Sequence, residues 1–227
     1  MKYKALLALA CLISSHANAH KAGDWIIKAG PISVQPSVDS DPIDVAGLQT
    51  FENGVDVDND VQLGLTGTYM LTDRWGIELL AASPFSHDIE LEDAPVTAGD
   101  TKHLPPTLSL QYYPDFGSDT FTPFVGLGLN HTVFFEEDAS ADLNLALDDI
   151  LSQPAGTTDA TLDLDNSTGI AAQIGLGYMI SENILINGTI WWIDIDTQAN
   201  IYTADATVNF DVDIDPFVYF LSVGYRF

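Results

Sequence analysis

Cysteine is almost missing from this chain. Cys11 is the single one among 227 residues, and it lies in an N-terminal stretch that reads as a leader. Residues 20–227 therefore exclude a disulfide scaffold, a thiolate zinc site and a cysteine nucleophile. Cations are nearly as scarce: 7 Lys and Arg stand against 33 Asp and Glu, for a net charge of −26. Such a chain repels nucleic acid, whose binding draws on Lys and Arg at the phosphates. Anionic lipid head groups repel it too, unless cations bridge the two. Long apolar runs are absent beyond the leader, and no stretch there reaches the roughly 18 residues of a membrane helix. A strongly amphipathic chain has one other way to span lipid, as a closed sheet.

The leader has the three parts of a secretory signal peptide. Lys2 and Lys4 form a positive n-region, Ala5 to Ile13 an apolar h-region, and Ala17-Asn18-Ala19 a small-residue cleavage site. Cleavage is expected before His20, leaving one domain over residues 20–227. A lipoprotein anchored through Cys11 is the lesser alternative, because very little apolar chain precedes it.

Eight segments then read as strands. They are Trp25 to Val34, Val61 to Leu71, Trp75 to about Ile89, about Leu104 to Tyr113, Pro123 to Phe135, Gly169 to Ile180, Ile184 to about Ile201, and about Val208 to Phe227. In an extended chain, side chains alternate between two faces. In the second segment Val61, Leu63, Leu65, Tyr69 and Leu71 share one face; Gln62, Gly64, Thr66, Thr68 and Met70 share the other. In the last, Phe217, Tyr219, Leu221, Val223, Tyr225 and Phe227 make one face wholly apolar. A wall that is apolar on one side and small or polar on the other suits lipid outside and a packed lumen inside. Glu78 marks the inner side of the third segment, because a carboxylate facing lipid is costly. Gln111 and Tyr113 fall on the inner side of the fourth, Thr189 and Trp191 on that of the seventh. Pro216 predicts a bulge or bend.

Connections alternate in length. Residues 72–74, 114–122 and 181–183 are short turns; 36–59, 90–103 and 136–168 are long and mostly rich in Asp, Ala, Thr or Gly, while 202–207 is brief. Within 139–151, Leu143, Leu147, Ile150 and Leu151 share a face at helical spacing, predicting a short helix packed on the rim. Short turns at one end and long acidic loops at the other are the asymmetry of an outer-membrane barrel. The expected fold is an all-β, eight-stranded antiparallel transmembrane barrel, with short periplasmic turns and long acidic extracellular loops.

Three motifs fail as chemistry. Val55 to Asp60 begins like a calcium loop, but Val61 and Gly67 stand where Gly and Glu belong. Similar acid–aliphatic runs at 162–165, 193–196 and 211–215 read as barrel wall rising beyond the membrane, and no metal site is assigned. Ser86, His87 and Asp88 offer a hydroxyl, an imidazole and a carboxylate, but strand neighbours point to opposite faces. His87 is expected at the rim or interface, and His103 and His131 have no evident partner. No enzymatic activity and no cofactor are expected. Outward Trp25, Trp75, Phe135, Tyr178, Trp192, Tyr219, Tyr225 and Phe227 read as an interfacial girdle.

Several stretches resemble the OmpW family of small outer-membrane barrels, whose relatives include AlkL-type hydrocarbon importers. They include H-K-A-G-D-W at 20–25, Q-L-G-L-T-G-T-Y-M-L-T-D at 62–73, W-G-I-E-L-L-A-A-S-P-F-S-H-D-I at 75–89 and K-H-L-P-P-T-L-S-L-Q-Y-Y at 102–113. P-F-V-G-L-G-L-N-H-T-V-F-F at 123–135, W-W-I-D-I-D-T at 191–197 and D-P-F-V-Y-F-L-S-V-G-Y-R-F at 215–227 complete the series. The resemblance implies an outer-membrane channel for passive uptake of small hydrophobic molecules, which enter from outside and leave sideways into the membrane. It also implies that Leu80 and Trp191 close the bottom of the ligand pocket. Glu78, Met70, Gln111, Tyr113 and Thr189 are candidate lining residues. Expected partners are outer-membrane lipids, small hydrophobic ligands and, through the strand ending in Tyr225 and Phe227, the outer-membrane assembly machinery. The alternative is a structural or surface-recognition barrel without transport, which a lumen packed with polar side chains from end to end would favour.

Overall fold

Period-two alternation does build a closed wall. A computed structural model describes residues 20–227; the expected leader lies outside the described residues. The barrel strands are β1 (Trp25–Gln35), β2 (Asp60–Met70), β3 (Trp75–Ala82), β4 (Thr107–Tyr112), β5 (Phe121–Ala139), β6 (Ser167–Met179), β7 (Ile184–Ile193) and β8 (Phe217–Arg226). Each pairs antiparallel with the next, and β8 returns to β1 with Ile26 opposite Arg226 and Val34 opposite Val218. Closure leaves no unpaired edge, as a spanning sheet requires. No described helix is long and apolar enough to cross a membrane.

The outward positions carry exposed Leu63, Leu65, Leu79, Leu127, Leu129, Ile174 and Leu221, among others. Apart from Glu136 and Asp138, where β5 rises into the crown, no exposed position of the eight strands holds a charged residue. At the short-turn end, aromatic rings pair around the rim: Trp25 with Tyr69 at 5.0 Å, Trp75 with Tyr112 at 4.8 Å, and Phe121 with Tyr178 at 5.1 Å. Trp25, Trp75 and Tyr178 belong to the expected girdle, and such rings gather where lipid head groups meet water.

Small inward residues make room for large ones. A Cβ on Gly175 would lie 2.2 Å from the Phe124 ring, and a Cβ on Gly30 would lie 2.1 Å from the Leu221 carbonyl oxygen. The first glycine admits an aromatic ring to the lumen; the second lets β1 and β8 approach at the closing seam.

The long connections are more ordered than expected. Residues 39–40, 161–164, 196–202 and 207–213 form a four-stranded sheet. Residues 43–45 pair with 49–51, and 55–57 pair with 85–91, which pair with 96–104. Together they form a crown above the barrel. Three expected long strands are broken as a result. The third ends at Ala82 and resumes at Phe85 beyond Pro84; the seventh breaks at Asp194–Ile195; the last breaks at 214–216 around Pro216. The fourth begins at Thr107, because Pro105 and Pro106 detach it from 96–104. Proline lacks the N–H that a ladder rung needs. The rim helix forms over Ala141–Ile150, capped by Ser140, whose Oγ accepts the Leu143 N–H at 2.9 Å. Its Leu143 and Leu147 are buried toward the crown's interior.

Candidate functional site: an apolar chamber above a packed polar plug

Viewed from the short-turn end, the lumen begins with a small apolar layer of Ile26, Met70, Tyr113, Phe124 and Leu185. Burial of His20 lowers its pKa to about 4, with Arg226 and Lys28 adding to the shift, and its ring meets Tyr113 edge-on at 4.7 Å.

Polar side chains fill the next layer. Lys28 Nζ lies 2.6 Å from Glu78 Oε2, both almost wholly buried. Thr68 donates to the same carboxylate at 3.0 Å, and Lys28 sits 5.3 Å over the Phe124 ring. Gln111 donates to Gln173 Oε1 at 3.1 Å and accepts from the Tyr113 hydroxyl at 2.7 Å. Thr189 donates to Asn187 Oδ1 at 2.8 Å. Eight strands leave a lumen narrow enough for side chains to fill, and here they do. Glu78, Met70, Gln111, Tyr113 and Thr189 are thus all buried and inward, within packed layers instead of along an open bore.

Leu80 and Trp191 lie above this plug. Both are buried to 2% or less and belong to one hydrophobic cluster with Ile32 and Phe220, the latter ring 6.0 Å from Trp191. They form the floor of an apolar cluster that continues into the crown, where a chamber opens whose lining does not include them. Val34, Phe51, Leu91, Leu147, Ile201 and Phe210 are representative of the lining, which is almost wholly carbon. A void of about 70 Å³ remains among these side chains, where a single water needs about 10–15 Å³ on the same measure. The loops, strands and helix of the crown enclose it.

His87, Thr101, His103 and Thr197 are the polar side chains in the chamber wall. Contrary to the expectation of a rim position, His87 is buried, and His103 has a partner after all. Their rings stack at 4.9 Å, with Phe85 5.3 Å and Phe134 5.8 Å from His103. His131 stays outside and meets the Thr168 hydroxyl at 2.8 Å. His87 Nδ1 lies 2.5 Å from the Asp58 carbonyl oxygen. A carbonyl only accepts, so Nδ1 carries the proton and donates. Burial lowers the pKa of both imidazoles, that of His103 to about 3 with His87 adding to the shift. For His87 the Asp58 carbonyl and the carboxylates of Asp60, Asp58 and Asp88 oppose the trend. Both rings are neutral at neutral pH. The alternation F-x-H-x-I-x-L over 85–91 carried the signal for an inward His87; its pairing with His103 needed the hairpin register, Phe85 opposite His103.

One ladder of the wall is interrupted just beyond Leu80. The β3–β4 ladder stops at Leu80 opposite Thr107, and pairing resumes one register step away at Phe85 opposite His103. Between them lie Pro84, Pro105 and Pro106, none able to donate.

Above β7, Asp194, Asp196 and Asp215 bring carboxylate oxygens within 4.8 Å of one another. Burial and then the neighbouring carboxylates push the Asp196 carboxyl up; for Asp215 burial and like charges outweigh the Ile195 N–H.

The likeness to known proteins follows the whole chain. A family model described as OmpW family matches residues 21–227. Outer membrane protein W of Salmonella typhimurium is 40% identical over 226 residues, covering 98% of this chain and 97% of that protein. The crystal structure of the outer membrane protein OprG from Pseudomonas aeruginosa is similar at TM-score 0.77 and 41% identity, covering 92% of this chain and 97% of that one. The outer membrane protein AlkL, solved in DMPC bilayers, shares the fold at TM-score 0.64 and 20% identity, covering 92% of each chain. With an inverted hydrophobic exterior, a closed eight-stranded wall and relatives named as outer membrane proteins, this chain belongs to the OmpW family of outer-membrane barrels.

Proposed function

We propose that the protein conducts small apolar molecules passively through the outer membrane. Ligand enters among the crown loops, rests in the chamber, and leaves sideways into lipid at the proline-interrupted seam. The observation that carries this reading is the chamber itself: lined almost wholly by carbon, set above the buried Leu80 and Trp191 layer, and separated from the far end by the Lys28–Glu78 plug. A downward path would cross buried charge, whereas the wall beside the floor lacks ladder rungs. Flow needs no energy source, since it follows the concentration gradient. The outer-membrane assembly machinery and surrounding lipid are the remaining partners proposed, the former through the strand ending in Tyr225 and Phe227.

The test is uptake of an alkane or terpene-like probe by proteoliposomes, with protein-free vesicles as reference. We expect the protein to accelerate uptake severalfold. Equal rates in the two preparations reject the proposal. Trp191→Ala removes the largest fully buried side chain of the floor, and should change the uptake rate or its selectivity by several fold. An unaffected rate removes Trp191 from the mechanism.

A further inference from the structure

We propose that the chamber's ligand carries one hydrogen-bond donor, a hydroxyl, and that His87 Nε2 is the acceptor that holds it. This rests on the conduit reading above and narrows its substrate class from apolar molecules in general to small apolar alcohols.

Several buried side-chain polar atoms lack a partner: those of His20, Thr66, Glu78, His87, Gln173 and Trp191. Among the described residues with such an atom, His87 alone belongs to the chamber lining. A buried polar atom without a partner is destabilising, and native proteins rarely keep one without a reason. The kind of partner is set by the tautomer. With Nδ1 committed to the Asp58 carbonyl, Nε2 of the neutral ring offers a lone pair and no proton. It therefore accepts from a donor and has nothing to give a carbonyl, an ether or an ester. An amine would also donate, but its ammonium form would be buried in an apolar chamber, at a high desolvation penalty. A hydroxyl donates while remaining neutral. The stacked His103 ring, with Phe85 and Phe134 beside it, holds the His87 plane and presents aromatic faces to the hydrocarbon part of the ligand. The pair also sits directly above the interrupted seam, since His103 opposes Phe85 where pairing resumes. An alcohol on its way to lipid passes this acceptor.

Cyclohexanol and methoxycyclohexane test the idea, because they share a ring and an oxygen but only the alcohol donates. Binding is measured to the full protein in lipid vesicles, after subtraction of partitioning into protein-free vesicles. We expect cyclohexanol to bind about fivefold to tenfold more tightly, the worth of one hydrogen bond to a buried acceptor. In His87→Phe the ratio should fall to about one. Nitrogen NMR of histidine-labelled wild-type protein provides a second readout that needs no variant: cyclohexanol should shift the Nε2 resonance of one neutral imidazole, and methoxycyclohexane should not. Equal affinity for both compounds, an undiminished ratio in His87→Phe, or no Nε2 shift with cyclohexanol overturns the anchor while leaving the conduit standing. Failure of both compounds to bind at all sinks the conduit reading and the anchor with it.

Discussion

Lys28 and Glu78 show how a single pair decides what the lower lumen does. Glu78 was legible as inward from its place in an apolar alternation, but its partner was not, because Lys28 lies about fifty residues away and only barrel closure sets the two side by side. An ion pair out of water is no strong stabiliser, yet breaking it leaves a buried charge unanswered. Lys28→Ala should therefore destabilise the barrel by about 3–5 kcal/mol, read as an earlier urea midpoint in lipid vesicles. Adding Glu78→Gln to the same chain should recover most of that loss; if the double variant is no better than the single, the plug is not held by this charge balance. The histidine pair gives a second residue-level consequence. Both folded-state pKa values lie below the unfolded value, so the stability these neutral rings contribute is complete above about pH 6.5 and lost as pH falls from there toward about 3, where His103 titrates in the fold. Each imidazole kept neutral in that window contributes a slope of about 1.4 kcal/mol per pH unit. The wild-type protein should lose more stability between pH 6.5 and 5 than His103→Phe does; parallel losses refute the linkage.

Among elements, three prolines separate the barrel wall from the crown hairpin. Trp75 to about Ile89 reads as one long strand because both halves alternate, yet across Pro84 the buried positions switch from even to odd numbers. In the structure Pro84, Pro105 and Pro106 all lie between the last β3–β4 pair and the first pair of the crown hairpin, so the barrel wall and the hairpin become separate ladders. Alternation reports which face a side chain occupies; it does not report which neighbour supplies the rung, and that is why this break was hidden. If the interruption is the exit, the double change Pro105→Val with Pro106→Val should restore N–H donors and slow release. We expect transfer of an apolar probe from protein to vesicle lipid to slow several fold while equilibrium binding stays near the wild-type value, measured by stopped-flow fluorescence. An unchanged transfer rate moves the exit elsewhere.

At the scale of the whole molecule, hydrocarbon faces out and charge is gathered at one end. The acidic residues behind the −26 net charge fall mostly on the crown, with Asp194, Asp196 and Asp215 crowded just above the wall. The outward Leu, Ile and Val side chains form a belt far larger than a soluble monomer exposes. Removing detergent without supplying lipid should precipitate the protein; a monodisperse species in plain buffer, followed by light scattering, contradicts the belt. That belt, the strand count and the inward phase of Leu80, Glu78 and Trp191 were all determined by the chain alone, because period two is a local property of extended backbone. The resemblance in the motifs at 102–113 and 215–227 pointed the same way. The crown's sheets, the Lys28–Glu78 plug, the His87–His103 stack and the broken seam were decided only in three dimensions. Each depends on which distant segment lies opposite, and pairing partners across long loops leave no periodic trace in the order of residues.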